Sequence, residues 1–222
     1  VGSGEVSNPL LLKAMARTGW PILLSSGMSD WKELTEAVKR IEALDVDVGL
    51  LQCTSKYPTP LSEVGLNVLD QMRRRFGTAV GLSDHSGQIY PGLAAMARGA
   101  DMLEVHVVLS RDAFGPDTPA SVSVGELKLL AEARDAFHVM RQNPVDKDAF
   151  AQEFGAMRRL FNKSVSLRSA QTAGTTLTRD MLTVKKPGSG IPAESLEACE
   201  GRRLAVDVGA DRVLNWEDLE SS

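Results

Sequence analysis

The 222 residues carry 25 Lys and Arg against 29 Asp and Glu, a formal net charge of -4, with 43% hydrophobic and 24% charged side chains. That is the composition of a globular chain able to bury a core in one or two domains. The longest basic run, Arg73-Arg74-Arg75, reads as a solvated helix face, which argues against nucleic acid or anionic membrane as partner; no stretch is long and apolar enough to span a bilayer. Cys53 and Cys199 lie far apart and form no zinc-type or redox-type pair, which predicts two free thiols and, with no signal-peptide pattern at the N-terminus, a cytoplasmic location.

The chain opens on Val1-Gly2-Ser3-Gly4, which reads as the tail of a strand and its turn. Asn8-Pro9 offers an N-cap and a proline at the first helical position, and Leu10, Ala14 and Arg17 continue one helical face until Gly19. Ile22-Leu23-Leu24 reads as a strand ending in Ser25-Ser26-Gly27. Asp30 and Glu33 have capping-box spacing ahead of the stripe Leu34, Ala37, Val38, Ile41 and Leu44. Val48 to Leu51 is the next apolar strand, Cys53 to Pro60 a polar loop, and Leu66, Leu69, Met72 and Phe76 a helix stripe. Val80-Gly81-Leu82 and Met102 to Val105 are strands ending in His85 and His106, with Leu93, Met96, Ala97 and Ala100 at helical spacing between them. Ser123 and Glu126 repeat the capping box before Leu127, Leu130, Ala133 and Phe137, and His138 falls near that stripe as a structural residue. A further helix carries Phe150, Phe154, Met157 and Phe161.

Strands alternating with helices imply an α/β protein with a parallel sheet, and chemically loaded strand ends in place of glycine-rich phosphate turns favour a TIM-type β/α barrel. Five strand ends are counted, so three further strand–helix units are expected upstream of Val1. From about Ser164 short alternating runs (Thr175 to Thr178, Leu182 to Val184, Leu204 to Val208) punctuated by Gly and Pro indicate a small β-rich domain. The expected domains are therefore residues 1–162, a partial barrel, and 163–222.

Parallel neighbours would bring His85 and His106 together at one end of the sheet, and two imidazoles with open positions suit a catalytic first-row metal. Glu104 alternates with His106 along its strand, so both should face inward, where a carboxylate can hold water or move a proton.

The segments Ser25-Ser26-Gly27-Met28, Cys53 to Pro60, Gly81 to His85, Glu104 to His106 with Gly115-Pro116-Asp117, and Lys186 to Ile191 fall in the order seen in sialic acid synthases, and the chain resembles that family along almost its whole length. The resemblance implies a nonulosonic acid synthase that condenses phosphoenolpyruvate with an N-acetylated amino sugar such as N-acetylmannosamine. It further implies a divalent metal, manganese or magnesium, and a C-terminal antifreeze-like (SAF) domain that caps the site of a partner subunit in a homodimer. By the same resemblance His85 and His106 hold the metal and are catalytic with Glu104. Ser3, Ser25, Ser55 and Ser83 bind phosphoenolpyruvate, Tyr57 and Asp117 lie on the sugar side, and Lys186 reaches the sugar from the partner's cap. The chain departs from the family's pattern at Val105, where Lys or Arg is usual, at Thr118, often His, and at Lys186, usually Arg. The alternatives are a non-catalytic sugar-binding or assembly protein with the same two domains and, more distantly, another phosphoenolpyruvate aldol synthase, a type that lacks the antifreeze-like tail.

Overall fold

The computed structural model describes residues 1–220, divided into two compact units, Val1–Asn143 and Pro144–Ser222. In the first unit α1 (Pro9–Ala16) begins where the sequence predicts, Asn8 accepting from the Leu11 N–H at 3.2 Å. It is followed by β1 (Ile22–Ser25), α2 (Trp31–Glu42), β2 (Val48–Cys53), α3 (Leu66–Phe76), β3 (Ala79–Asp84), α4 (Tyr90–Ala97), β4 (Leu103–Val108), β5 (Ser121–Ser123) and α5 (Val124–Gln142). Both expected capping boxes form: the Glu33 N–H donates to Asp30 at 2.8 Å and the Glu126 N–H to the Ser123 hydroxyl at 3.3 Å, while each Glu carboxylate accepts from its N-cap N–H.

The five strands make one parallel sheet in the order β1-β2-β3-β4-β5. Each strand–helix–strand unit therefore lays its second strand directly beside its first, which is the construction of a TIM-type β/α barrel. Side chains alternate across the sheet. Ile22, Leu24, Val48, Leu50, Val80 and Leu82 point one way and close a core with Leu34, Val38, Ile41, Leu69 and Met72 of the helices. Leu23, Gly49, Leu51, Gly81 and Met102 lie on the opposite face. There a methyl group on Gly49 would meet the tips of Leu23 and Met102, each at 2.9 Å, so these larger side chains fill the space that glycine leaves.

Two elements differ from expectation. Val1-Gly2 is not a strand; Ser3–Glu5 forms a turn of 3-10 helix, and Val1 only exchanges two backbone bonds with β1, its N-terminal amine to the Leu23 carbonyl at 2.6 Å and its carbonyl to the Ser25 N–H at 3.0 Å. The fifth strand is Ser121–Ser123, paired with β4 through His106↔Ser121. Its three residues include one apolar side chain, too few for alternation to show, and its last residue doubles as the cap of α5.

In the second unit α6 (Lys147–Glu153) and α7 (Gly155–Phe161) precede an antiparallel pair, β6 (Ser164–Leu167) and β7 (Leu182–Lys185), and the one-turn α8 (Leu196–Cys199). Val165, Leu167, Leu177, Leu182, Ile191, Leu204 and Leu214 form its core. The unit begins ahead of residue 163 because α7 is tied to the β domain: the Gly188 N–H donates to the Arg159 carbonyl at 2.8 Å, and the Lys186 ammonium lies 4.9 Å from the Phe161 ring centroid. The runs at Thr175 and Leu204, expected as strands, occur as isolated bridges (Thr176↔Arg203, Leu204↔Leu219), since Gly174 and Gly201 at positive φ turn the chain before a ladder extends. His138, expected near a core stripe, is exposed on α5.

Candidate active site

The C-terminal ends of the strands collect the polar residues that the sequence singled out. β3 and β4 pair with Ser83 opposite Glu104, and the Ser83 hydroxyl donates to Glu104 Oε1 at 2.6 Å, so both project from the same face. One residue beyond β3, His85 is buried, 4% exposed. Its ring centroid lies 5.1 Å from that of His106, whose side chain on β4 is 35% exposed. Tyr57 completes the cluster, stacked on His85 at 4.2 Å and edge-on to His106 at 5.6 Å.

The hydrogen bonds of His85 define its tautomer. Nδ1 lies 3.2 Å from the Thr54 carbonyl, which can only accept, so Nδ1 carries a proton; Cys53 Sγ stands 3.9 Å from the same nitrogen, and Nε2 faces the Tyr57 hydroxyl at 3.2 Å. Asp117 Oδ2 stands 3.7 Å from His106 Nδ1, and the Asp117 carbonyl accepts from the Ser121 hydroxyl at 2.7 Å, which moors the loop after β4 to β5. Ser3 and Ser55 share a hydrogen bond at 3.1 Å. Gly27, at φ 39°, makes their meeting possible: a Cβ there would stand 1.9 Å from that of Ser3 and 2.9 Å from the Ser55 hydroxyl. Ser25 is buried at the end of β1.

Of the residues expected to act together, the fold brings His85, His106, Tyr57, Glu104, Ser83 and Asp117 to one rim and places Ser3, Ser25 and Ser55 on the neighbouring strand ends. Lys186 belongs to the second unit, on an exposed turn whose carbonyl at Pro187 accepts from the buried Ser164 hydroxyl at 2.8 Å. Sequence reasoning passed over Cys53, Thr59 and Asp84. Burial pushes the Cys53 thiol up, and burial likewise raises the Asp84 carboxyl, although the Ser86 hydroxyl and N–H donate to it at 2.7 and 3.2 Å. Burial is also the main reason that the Tyr57 phenol is raised, which keeps it a neutral donor. Among the described residues no group of three or more His, Cys, Asp and Glu side chains is placed to hold a metal ion.

The family profile of NeuB matches residues 1–145. The chain belongs to the NeuB family. A second profile, that of the SAF domain, matches residues 172–220, so a NeuB-type barrel region and a SAF domain follow one another in this chain. Among relatives of this NeuB-family chain, the N-acetylneuraminate-9-phosphate synthase of Mus musculus is 33% identical over 100% of the chain and 62% of its own length. The N,N'-diacetyllegionaminic acid synthase of Legionella pneumophila is 30% identical over 100% of the chain and 63% of its own length. Across the curated relatives it matches, the chain spans 62 to 65% of their length. The crystal structure of N-acetylneuraminic acid synthetase from Leptospira borgpetersenii, in complex with citrate, superposes with a TM-score of 0.63 at 29% identity, covering 70% of this chain and 55% of that one. Among the described residues no helix is long and apolar enough to cross a membrane.

Proposed function

We propose that the protein is a nonulosonic acid synthase that joins phosphoenolpyruvate to an N-acetylated amino sugar, such as N-acetylmannosamine, with release of phosphate and with a divalent cation, Mn2+ or Mg2+, as cofactor. The observation that carries this reading is the His85–His106 pair at the C-terminal ends of adjacent strands, with centroids 5.1 Å apart, in a chain whose relatives are named as such synthases. The donor set fits a catalytic cation: two imidazoles leave positions for water and substrate oxygens, and with Nδ1 turned to Thr54, His85 Nε2 is the ring atom left to serve as a ligand, the cation there taking the place of the Tyr57 hydroxyl 3.2 Å away. When bound, the cation supplies a Lewis acid that polarises the sugar aldehyde.

The remaining work falls to the chain's own side chains. Glu104, held at Oε1 by Ser83, has Oε2 free to move the proton of the new hydroxyl or of the attacking water. Ser3, Ser25, Ser55 and Ser83 offer hydroxyl donors to the phosphate and carboxylate of phosphoenolpyruvate, with Ser3 and Ser55 brought together over Gly27. Tyr57 and Asp117 border the imidazoles where the sugar would lie. Lys186 serves the sugar side of a second copy, which makes the working unit a homodimer; Lys186→Ala should then raise the KM for the sugar and leave that for phosphoenolpyruvate unchanged, and equal effects on both would contradict that role.

The test is incubation of the purified protein with phosphoenolpyruvate, N-acetylmannosamine and Mn2+, following phosphate release and nonulosonic acid formation. Product dependent on all three components supports the synthase. Sugar binding without turnover, whatever amino sugar or cation is supplied, would instead support a binding or assembly role.

A further inference from the structure

The loop between β2 and α3 contains a side chain that touches neither the imidazole pair nor any atom expected to meet substrate, yet ties both His85 and Tyr57 in place. Thr59 is buried, 4% exposed. Its hydroxyl shares its one proton between the Lys56 carbonyl at 2.8 Å and the Thr54 carbonyl at 3.2 Å, closing residues 54–59 into a ring that includes Tyr57. Its backbone N–H donates to the His85 carbonyl at 2.9 Å. The Thr54 carbonyl at the root of that ring also accepts from the Lys56 N–H at 2.8 Å, and it is the same atom that accepts from His85 Nδ1 at 3.2 Å. One residue thus joins the loop to the histidine through the main chain and, through its hydroxyl, helps to aim the acceptor that selects the histidine's tautomer. A valine of the same shape would keep the packing and the main-chain bond while leaving the Thr54 and Lys56 carbonyls without this donor.

We propose that the Thr59 hydroxyl is a positioning group for the site: it holds the Thr54 carbonyl so that His85 is protonated on Nδ1 and presents the lone pair of Nε2. The ligand role of that lone pair rests on the synthase reading; the tautomer does not. Partners of this kind, one bond removed from a ligand, typically change metal affinity or activity about 10–100-fold when lost.

The experiment compares wild type, Thr59→Val and Thr59→Ser in the metal-free protein. The His85 tautomer is read from the two ring nitrogens by long-range proton–nitrogen NMR over a pH series. The resonance is assigned by its loss in His85→Gln. Mn2+ titration follows, with circular dichroism to confirm the fold. Wild type and Thr59→Ser should show the Nδ1–H form and the same Mn2+ affinity, and Thr59→Val a mixture of tautomers with affinity about 10–100-fold weaker. The Nδ1–H form retained in Thr59→Val would overturn the proposal, and so would a Thr59→Ser variant that loses it, because the methyl and not the hydroxyl would then be responsible. Should Thr59→Val not fold, Thr59→Ala, which also lacks the hydroxyl, is read in the same way, and the Nδ1–H form retained there would equally overturn the proposal. Absence of Mn2+ binding in wild type, with the tautomers as expected, would remove the metal reading and leave the positioning role standing.

Discussion

The two sides of the parallel sheet are built differently. β2 is buried along its whole length and β3 in all but its first residue, sealed by helix stripes such as Leu34, Val38 and Ile41. β4 is only partly buried, and α5 buries Leu130 while leaving Leu127 40% exposed. An apolar cavity of 440 Å³ lined by Leu23, Met102, Leu127 and Leu130 lies on this second side, away from the imidazoles. The candidate site straddles the boundary. His85 stands on the sealed side with its ring and carbonyl both bonded, whereas His106 and Asp117 stand on the open side, half-exposed and 3.7 Å apart. The sealed side fixes one imidazole in place, and the open side leaves the other room to adjust.

The largest expected effect separates the two sides by stability. Leu50→Ala removes a fully buried side chain from the sealed core and should cost about 2–5 kcal/mol, whereas Leu127→Ala on the open side should stay within about 0.5 kcal/mol. Urea denaturation of both variants checks this, and equal losses would erase the distinction. Next in size is Gly27→Ala, which sharpens it at the rim: the added methyl collides with Ser3 at positive φ, so a loss of about 1–3 kcal/mol is expected, with displacement of the Ser3–Ser55 pair. An unchanged melting temperature would show that this rim yields freely.

The smallest effect lies at the start of α5. The Ser123 N–H and hydroxyl, followed by Arg111, hold the Glu126 carboxyl below its ordinary range. A group so depressed contributes its stability fully above the ordinary glutamate value and loses it as the pH falls through its lowered folded value. Glu126→Gln should therefore cost about 0.5–1 kcal/mol at pH 7 and nothing measurable once the pH is below that value. A cost that persists in acid would assign the effect to shape and not to charge.

Most of the sealed side was legible in the sequence, because helix stripes with capping boxes and strands of four to six residues carry periodicity that local chemistry dictates. β5 was not, since three residues have no period and its identity depends on pairing with β4. The α5 stripe has helical spacing, but spacing says which residues share a face and nothing of what covers that face. At the site, His85, His106 and Glu104 could be placed together from strand order alone. Thr59 could not, because its partners are backbone carbonyls, nor could Gly27, because Ser3, which occupies the space above it, lies 24 positions away.

The most direct test of the imidazole pair as a metal-dependent catalytic centre is Mn2+ titration, followed by electron paramagnetic resonance, of the wild-type protein and of His85→Ala and His106→Ala. Each substitution should weaken binding by at least about 100-fold and abolish phosphate release from phosphoenolpyruvate in the presence of the sugar, with the folded signal in circular dichroism retained. Mn2+ affinity and turnover unchanged in both variants would contradict the assignment of the pair as the metal site.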